Sequence, residues 1–314
     1  MCSVPPHETE TPYEVEVFRI LFHPFHQTWA EPLFLICRLD LLAALRAASQ
    51  PQSDQVATHN IAMIVLDTLR LDVAQESLAA GQTPVIAEQL NKGWTHAHTP
   101  GAFTYAAHQA FFAGFLPTPA SPGPHERLFA ARFAGSETTT GNTCCFEEPD
   151  IVSGLAVRGY HTLCVGGVGF FNKQTKLGCV LPGHFAESLW RPEFGVTDPD
   201  STGKQVAFLQ ERLATFDQRL FLYLNVSAPH QPNYFYAQES GPDSIASHAS
   251  ALAYADSQLN GLFAALSALD DTFVILCSDH GTAYGEDGFV GHRNSHPSVM
   301  NVPYGHFILP AQRG

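Results

Sequence analysis

The 314-residue chain predicts an α/β fold, with a mainly parallel central sheet and helices on both faces. Three observations predict it. Short apolar runs without polar alternation recur, as strands buried on both faces require. Segments of helical period separate them, which is the alternation of a sheet covered on both sides. Each run also ends in a polar or glycine-rich loop, where open α/β sheets place their sites.

The elements follow in chain order. Residues 1–58 differ in texture from the rest and read as an N-terminal appendage, with residues 59–314 as the catalytic domain. Within the appendage, Tyr13–Phe22 alternates loosely as a strand does, Leu33–Ala48 suits a short helix, and a polar linker-like stretch follows. IAMIVLD (61–67) is the first buried strand, an apolar run ending in an acid. Thr83–Asn91 starts a helix with Pro at its first position, and Tyr105–Phe115 is the next. Helix Val152–Arg158 leads into strand 161–167, and helix Gln205–Phe216 into strand 219–227. His248–Ala268 is a long amphipathic helix with Leu252, Ala255, Leu259, Leu262 and Leu266 on one face. It feeds strand FVILCSD (273–279), and VPYGHFIL (302–309) is the last strand. Residues 135–148 read as an exposed loop, and no internal repeat is visible.

Composition narrows the function. Sixteen Lys and Arg against 30 Asp and Glu give a net charge of −14. That balance argues against nucleic acid or an anionic membrane surface as partner. An acidic chain that binds an anion must reverse the sign locally, and a bound metal does so most simply. Seven scattered cysteines without a CxxC pair read as reduced thiols, hence a cytoplasmic location. No clean apolar stretch of about 20 residues is present, so no membrane span is expected. Oligomeric state is not readable.

Four segments carry chemistry. Asp67 ends the first apolar strand, where it caps the next helix or faces a site. Thr104, in FTYAAHQAFFAGFLP, stands at a helix start. It is either a helix cap or a nucleophile facing free backbone N–H groups and the positive end of the dipole. His230 follows an apolar strand between Pro229 and Pro232, as a hydrogen-bonded loop residue or a site residue. Asp279 and His280 end another strand, and His292 follows after a glycine-rich turn. Asn172 and Lys173 in the glycine-rich stretch 166–178 are candidate substrate contacts near the pocket mouth.

Together the segments resemble the sulfatase-like branch of the alkaline phosphatase superfamily, from about Asn60 to the C-terminus and in the family's order. NIAMIVLDTLRLD matches the opening strand, Pro229-His230-Gln231-Pro232 the PHxP element, and Ser278-Asp279-His280-Gly281 with Gly285-Glu286 and Gly291-His292 the SDHG…GE…GH element. Counting back ten residues from Gly114 lands on Thr104 as nucleophile. The FTYAAH, GGVGFFN and SDHGTAYGEDG stretches are similar to a group of short bacterial sulfatase-like hydrolases.

The resemblance implies that Asp67, Thr104, Asp279 and His280 surround a divalent metal, with Thr104 both ligand and nucleophile. His230 and His292 then face the substrate's oxygens, help hold a second metal, or protonate the leaving group. His108 takes the position of an Arg that contacts the sulfuryl group, and Arg293 is a candidate fixed positive charge. The carboxylate and imidazole donors suit Zn²⁺ or Mn²⁺ better than Ca²⁺.

Departures from the pattern redirect the chemistry. Thr104 replaces the Cys or Ser that is oxidised to formylglycine in true sulfatases. Thr68 replaces a second Asp, and Gly167 and Gly169 replace a Lys-x-His pair. The expected substrate is therefore a small phosphate or phosphonate ester. A phosphoryl transferase to a soluble acceptor and a non-catalytic metal- or anion-binding relative are the alternatives. The chain also stops soon after VPYGHFIL, where larger relatives add a C-terminal subdomain. The resemblance thus implies an open site, or one completed by residues 1–58 or by a second subunit.

Overall fold

The computed structural model describes residues 58–114, 129–130, 144–145, 150–237 and 241–312. The expected appendage elements Tyr13–Phe22 and Leu33–Ala48, and most of the expected loop 135–148, lie outside them.

Chain order is β1 (Asn60–Leu66), α1 (Leu71–Ala79), α2 (Pro84–Gln89), β2 (Thr95–His98), α3 (Thr104–Ala113), β3 (Phe129–Ala130), β4 (Cys144–Cys145), α4 (Ile151–Val157), β5 (His161–Val165) and β6 (Glu187–Leu189). Then come α5 (Ser201–Leu213), β7 (Leu220–Val226), α6 (Ile245–Ser267), β8 (Thr272–Cys277), β9 (Ala283–Tyr284), β10 (Val290–Gly291), α7 (Pro297–Met300) and β11 (Asn301–Leu309). Among the described residues, seven strands form the central sheet in the order β2-β11-β8-β1-β7-β5-β6. The five from β8 to β6 run parallel, with β1 central between β7 and β8. The expected last strand, β11, joins antiparallel to β8 and carries β2 on its far side.

Alternate residues of each central strand feed opposite cores, which explains why these strands read as unbroken apolar runs. Ala62, Ile64, Leu66, Leu222, Leu224 and Leu276 face one layer, built mainly from α1, α2, α5 and α6. Ile61, Val65, Phe221, Tyr223, Phe273 and Ile275 face the other, with α3 and α4. Two helices start at capping boxes, Asp150 with Ser153 for α4 and Ser244 with Ser247 for α6. Helix α1 and strands β2 and β6 escape the sequence reading. They are short, and β2 and β6 are not fully buried, so no clear period marks them.

The fold leaves one edge open for chemistry. Loops after β1, β7 and β8 leave the carboxyl end of adjacent parallel strands, and α3 begins at the same end.

Candidate active site

Thr104 is the first residue of α3; the N-cap position belongs to Phe103, whose side chain makes no capping bond. The cap reading of Thr104 therefore does not describe its place. Its hydroxyl points away from its own helix, 3.5 Å from Asp67 Oδ2 and 3.3 Å from His280 Nε2. Gly101 makes this approach possible. A Cβ there would lie 2.5 Å from the Ala107 backbone nitrogen, so only glycine lets the entering chain run so close to the helix. Gly114 ends the helix at φ +72°, a conformation that favours glycine.

Asp67, Asp279 and His280 are fully buried, and one ligand atom from each lies within 4.8 Å of the other two. Thr68 ties the carboxylates together. Its backbone N–H donates to Asp279 Oδ1 at 3.1 Å, and its hydroxyl donates to Asp67 Oδ1 at 2.8 Å. This uses a left-handed φ of 66° at a β-branched residue, a strained conformation at the centre of the site. Asp279 Oδ1 also accepts from the His280 backbone N–H at 3.0 Å. Its Oδ2 is buried without a hydrogen bond, 3.6 Å from His280 Nε2 and from His108 Nδ1.

The protonation pattern follows. His280 Nδ1 lies 2.8 Å from the Gly281 carbonyl, which can only accept, so Nδ1 carries the proton. Nε2 is left with its lone pair toward Thr104. Burial, then the Asp67 charge, pushes the Asp279 carboxyl well above the usual carboxylate range. Burial also acts to raise Asp67, but His230, His280 and the Asn225 amide outweigh it and hold its carboxyl below the ordinary value. Two buried carboxylates, an orphaned carboxylate oxygen, a bare imidazole nitrogen and a hydroxyl fit a divalent cation, the group that removes both the repulsion and the unmet acceptor.

Two further imidazoles stand over this cluster. The His292 ring lies 4.7 Å from that of His280 and 5.6 Å from that of His230. His292 Nδ1 is buried with no hydrogen-bond partner, and burial, with His280 and His230 beside it, lowers its pKa to about 4. His230 is half-buried, its Nδ1 held by the Gln231 carbonyl. Arg293 is exposed and held at φ 70°, its backbone N–H donating to Ala102 O at 2.8 Å and its guanidinium 5.7 Å from the Phe103 ring centre.

Three other expected substrate contacts are engaged by neighbours in the structure. His108 is fully buried beneath Thr104, its Nδ1 on the Thr104 carbonyl at 2.6 Å and its Nε2 on the Tyr223 hydroxyl. It supports the helix start and has no surface to offer a substrate, because a helical side chain leans back over the preceding turn. Lys173 gives its ammonium to the Ser188 carbonyl and hydroxyl, both at 3.0 Å. Asn172 Oδ1 caps the Gln174 backbone N–H at 2.9 Å. Lys173 thus ties the loop to β6, and Asn172 shapes the turn that follows it.

A family model described as Sulfatase matches residues 59–304. The chain belongs to the sulfatase family. A search of curated proteins finds no match. Solved structures similar to it include the C-terminal periplasmic domain of phosphoethanolamine transferase EptC from Campylobacter jejuni, with 14% identity over 80% of this chain and 79% of that one, at a TM-score of 0.54. The soluble domain of lipooligosaccharide phosphoethanolamine transferase A from Neisseria meningitidis has 12% identity over 81% and 77%, also at 0.54. The periplasmic domain of EcEptC from Escherichia coli, in complex with Zn, has 12% identity over 81% and 73%, at 0.52. At these identities the likeness is one of fold, a mainly parallel sheet covered by helices. Among the described residues no helix is long and apolar enough to cross a membrane.

Asn225 is a site residue that the sequence reading passed over, and Thr68 appears there only as the replacement for a second Asp. Asn225 lies inside an apolar strand, and its one signal is a lone amide among hydrophobic residues.

Proposed function

We propose that residues 59–314 form a metal-dependent hydrolase of phosphate or phosphonate esters with Thr104 as nucleophile. The observation that carries this is the Thr104 hydroxyl at a helix start, within reach of both a carboxylate and a bare imidazole nitrogen. A divalent ion on Asp67, Thr104, Asp279 and His280, Zn²⁺ or Mn²⁺ by donor type, supplies the Lewis acidity that lowers the hydroxyl's pKa and offsets phosphoryl charge. A neighbour of the same fold binds Zn, which accords with the choice.

Thr104 Oγ1 gives its proton up to solvent and attacks phosphorus. The new P–O bond forms as the bond to the leaving alcohol breaks, giving a phospho-Thr enzyme. His292 and His230 face the substrate's oxygens, where an imidazolium can give its proton to the leaving oxygen. Arg293 is the fixed positive charge at the rim. Water then attacks the phospho-Thr, the bond from Thr104 Oγ1 to phosphorus breaks, phosphate or phosphonate leaves, and a proton from the attacking water returns to Thr104. Phosphorus rather than sulfate esters are favoured, because Thr104 cannot become formylglycine and Gly167 and Gly169 stand where sulfate-binding side chains are expected.

Two neighbours of the same fold are phosphoethanolamine transferases, which favours one second reading: an alcohol in place of water as acceptor. Seven scattered cysteines without a CxxC pair accord with a reducing, cytoplasmic setting. The test is turnover of p-nitrophenyl phosphate, a phosphodiester, a phosphonate monoester and a sulfate, with and without added metal. Metal-dependent turnover of a phosphorus ester, lost by about a thousandfold or more in Thr104→Ala, is expected. Sulfate turnover that survives the substitution would overturn both nucleophile and substrate class.

A further inference from the structure

The hydrogen bonds around Asp67 lead out of the ligand set to the interior of β7. We propose that Asn225 is a positioning residue, whose amide clamps Asp67 in its cation-binding orientation and ties that orientation to the loop at Gly166–Val168. The inference rests on the reading of Asp67 as a metal ligand.

Asn225 is fully buried, paired in register with Val65 of β1 and followed by Val226 at the end of the strand. A buried amide is costly without partners, and here its atoms are engaged on two sides. Nδ2 donates to Asp67 Oδ2 at 2.9 Å. Oδ1 accepts from the backbone N–H groups of Gly167 at 3.2 Å and Val168 at 2.9 Å. Two donors on one side and a carboxylate on the other admit a single orientation of the amide. Asp67 Oδ1 is held in turn by the Thr68 hydroxyl at 2.8 Å. With both oxygens anchored, the carboxylate cannot rotate, and Oδ2 keeps its remaining lone pair on the side of the Thr104 hydroxyl.

The loop side is shaped to the same amide. A Cβ at Gly167 would come 2.4 Å from the Asn225 carbonyl and 3.1 Å from its Oδ1. Gln205 Nε2 donates to the Asn225 carbonyl at 2.8 Å and the Gly166 carbonyl at 3.1 Å, joining strand and loop from α5. Trp190 Nε1 holds the Gly167 carbonyl at 2.9 Å. The loop then carries Phe170 to ring contacts with Phe103 and Tyr105, the residues on either side of Thr104. A single side chain thus links a metal-ligand carboxylate to the loop that packs beside the nucleophile.

The test is metal affinity, which a purely structural role on a folded protein would not move. Wild type, Asn225→Leu, Asn225→Ala and Asp67→Asn are stripped of metal and shown folded by near-ultraviolet circular dichroism. Zn²⁺ and Mn²⁺ dissociation constants are then measured by chelator competition. Both Asn225 variants should bind about ten- to a hundredfold more weakly, the usual effect of losing a ligand's hydrogen-bond partner. Asn225→Ala decides the question if the Leu variant does not fold. Weakening in Asp67→Asn with wild-type affinity in the Asn225 variants would overturn the inference and leave the ligand reading standing. Unchanged affinity in Asp67→Asn would remove the ligand reading and the inference with it. Gly167→Ala presses on the clamp from the loop and should weaken binding several-fold; wild-type affinity there would sever the loop from the proposal.

Discussion

Replacing Asp279 with Asn should make the metal-free protein more stable. The substitution is isosteric, and Asn Oδ1 keeps the bonds from Thr68 and His280 backbone N–H groups at 3.1 and 3.0 Å. What changes is the second oxygen, which is buried without a hydrogen bond and shares its site with the Asp67 carboxylate. At the 4.8 Å limit of the cluster, two unit charges repel by about 3.5 kcal/mol at an effective dielectric of about 20. A shorter separation within that limit raises the repulsion, and protonation of Asp279 relieves part of it. With about 2–4 °C per kcal/mol for a domain of this size, metal-free Asp279→Asn should melt up to about 10 °C above metal-free wild type. Added Zn²⁺ or Mn²⁺ should reverse the order, since a neutral amide is a poorer ligand and binding stabilises only the folded state. The assay is differential scanning calorimetry after chelation, repeated with metal restored. A metal-free variant that melts at or below wild type would refute the claim that the site is under electrostatic strain without its cation.

Two further predictions rest on residues around the site. His248 is fully buried beside Tyr284 and Arg70, and burial above all, with Arg70 and His230 adding to it against Asp72, lowers its pKa to about 3. Between about pH 6.5 and 3 the unfolded chain therefore binds a proton that the folded one refuses, and stability falls as pH falls. Urea titrations of metal-free protein from pH 6.5 to 4.5 should show wild type losing about 1.4 kcal/mol per pH unit more than His248→Gln; parallel curves would refute the buried neutral imidazole. Gly101→Ala forces a Cβ against the backbone of α3 at 2.5 and 2.8 Å. It should cost about 1–3 kcal/mol of stability and lower kcat at least tenfold by displacing Thr104. Wild-type kcat would show that the approach of this loop does not set the nucleophile.

Asp67, Asp279 and His280 were legible as candidates because each ends an apolar run, and a parallel sheet presents strand ends at one edge. Thr104 was legible by its count from Gly114, although the same residues also allowed a helix cap. The cap alternative falls away only when Phe103 takes the cap position and the Thr104 hydroxyl turns toward Asp67 and His280. His108 stands in a suggestive place along the chain, yet it is buried beneath Thr104 against Tyr223, a neighbour that no spacing announces.

The sequence by itself determined the alternation of buried strands and helices, because a strand buried on both faces must be apolar throughout and a covering helix must be apolar on one side. It also determined which residues end those strands. Only the tertiary structure decided that β11 runs antiparallel and that Thr68 bridges the two carboxylates. The same holds for Asn225, whose amide inside an apolar run serves Asp67 and the loop after β5. Hydrogen bonds across 158 and 211 positions of sequence leave no local period. They exist because the sheet order sets β1 between β7 and β8, and only then do their ends converge on one buried group of polar atoms.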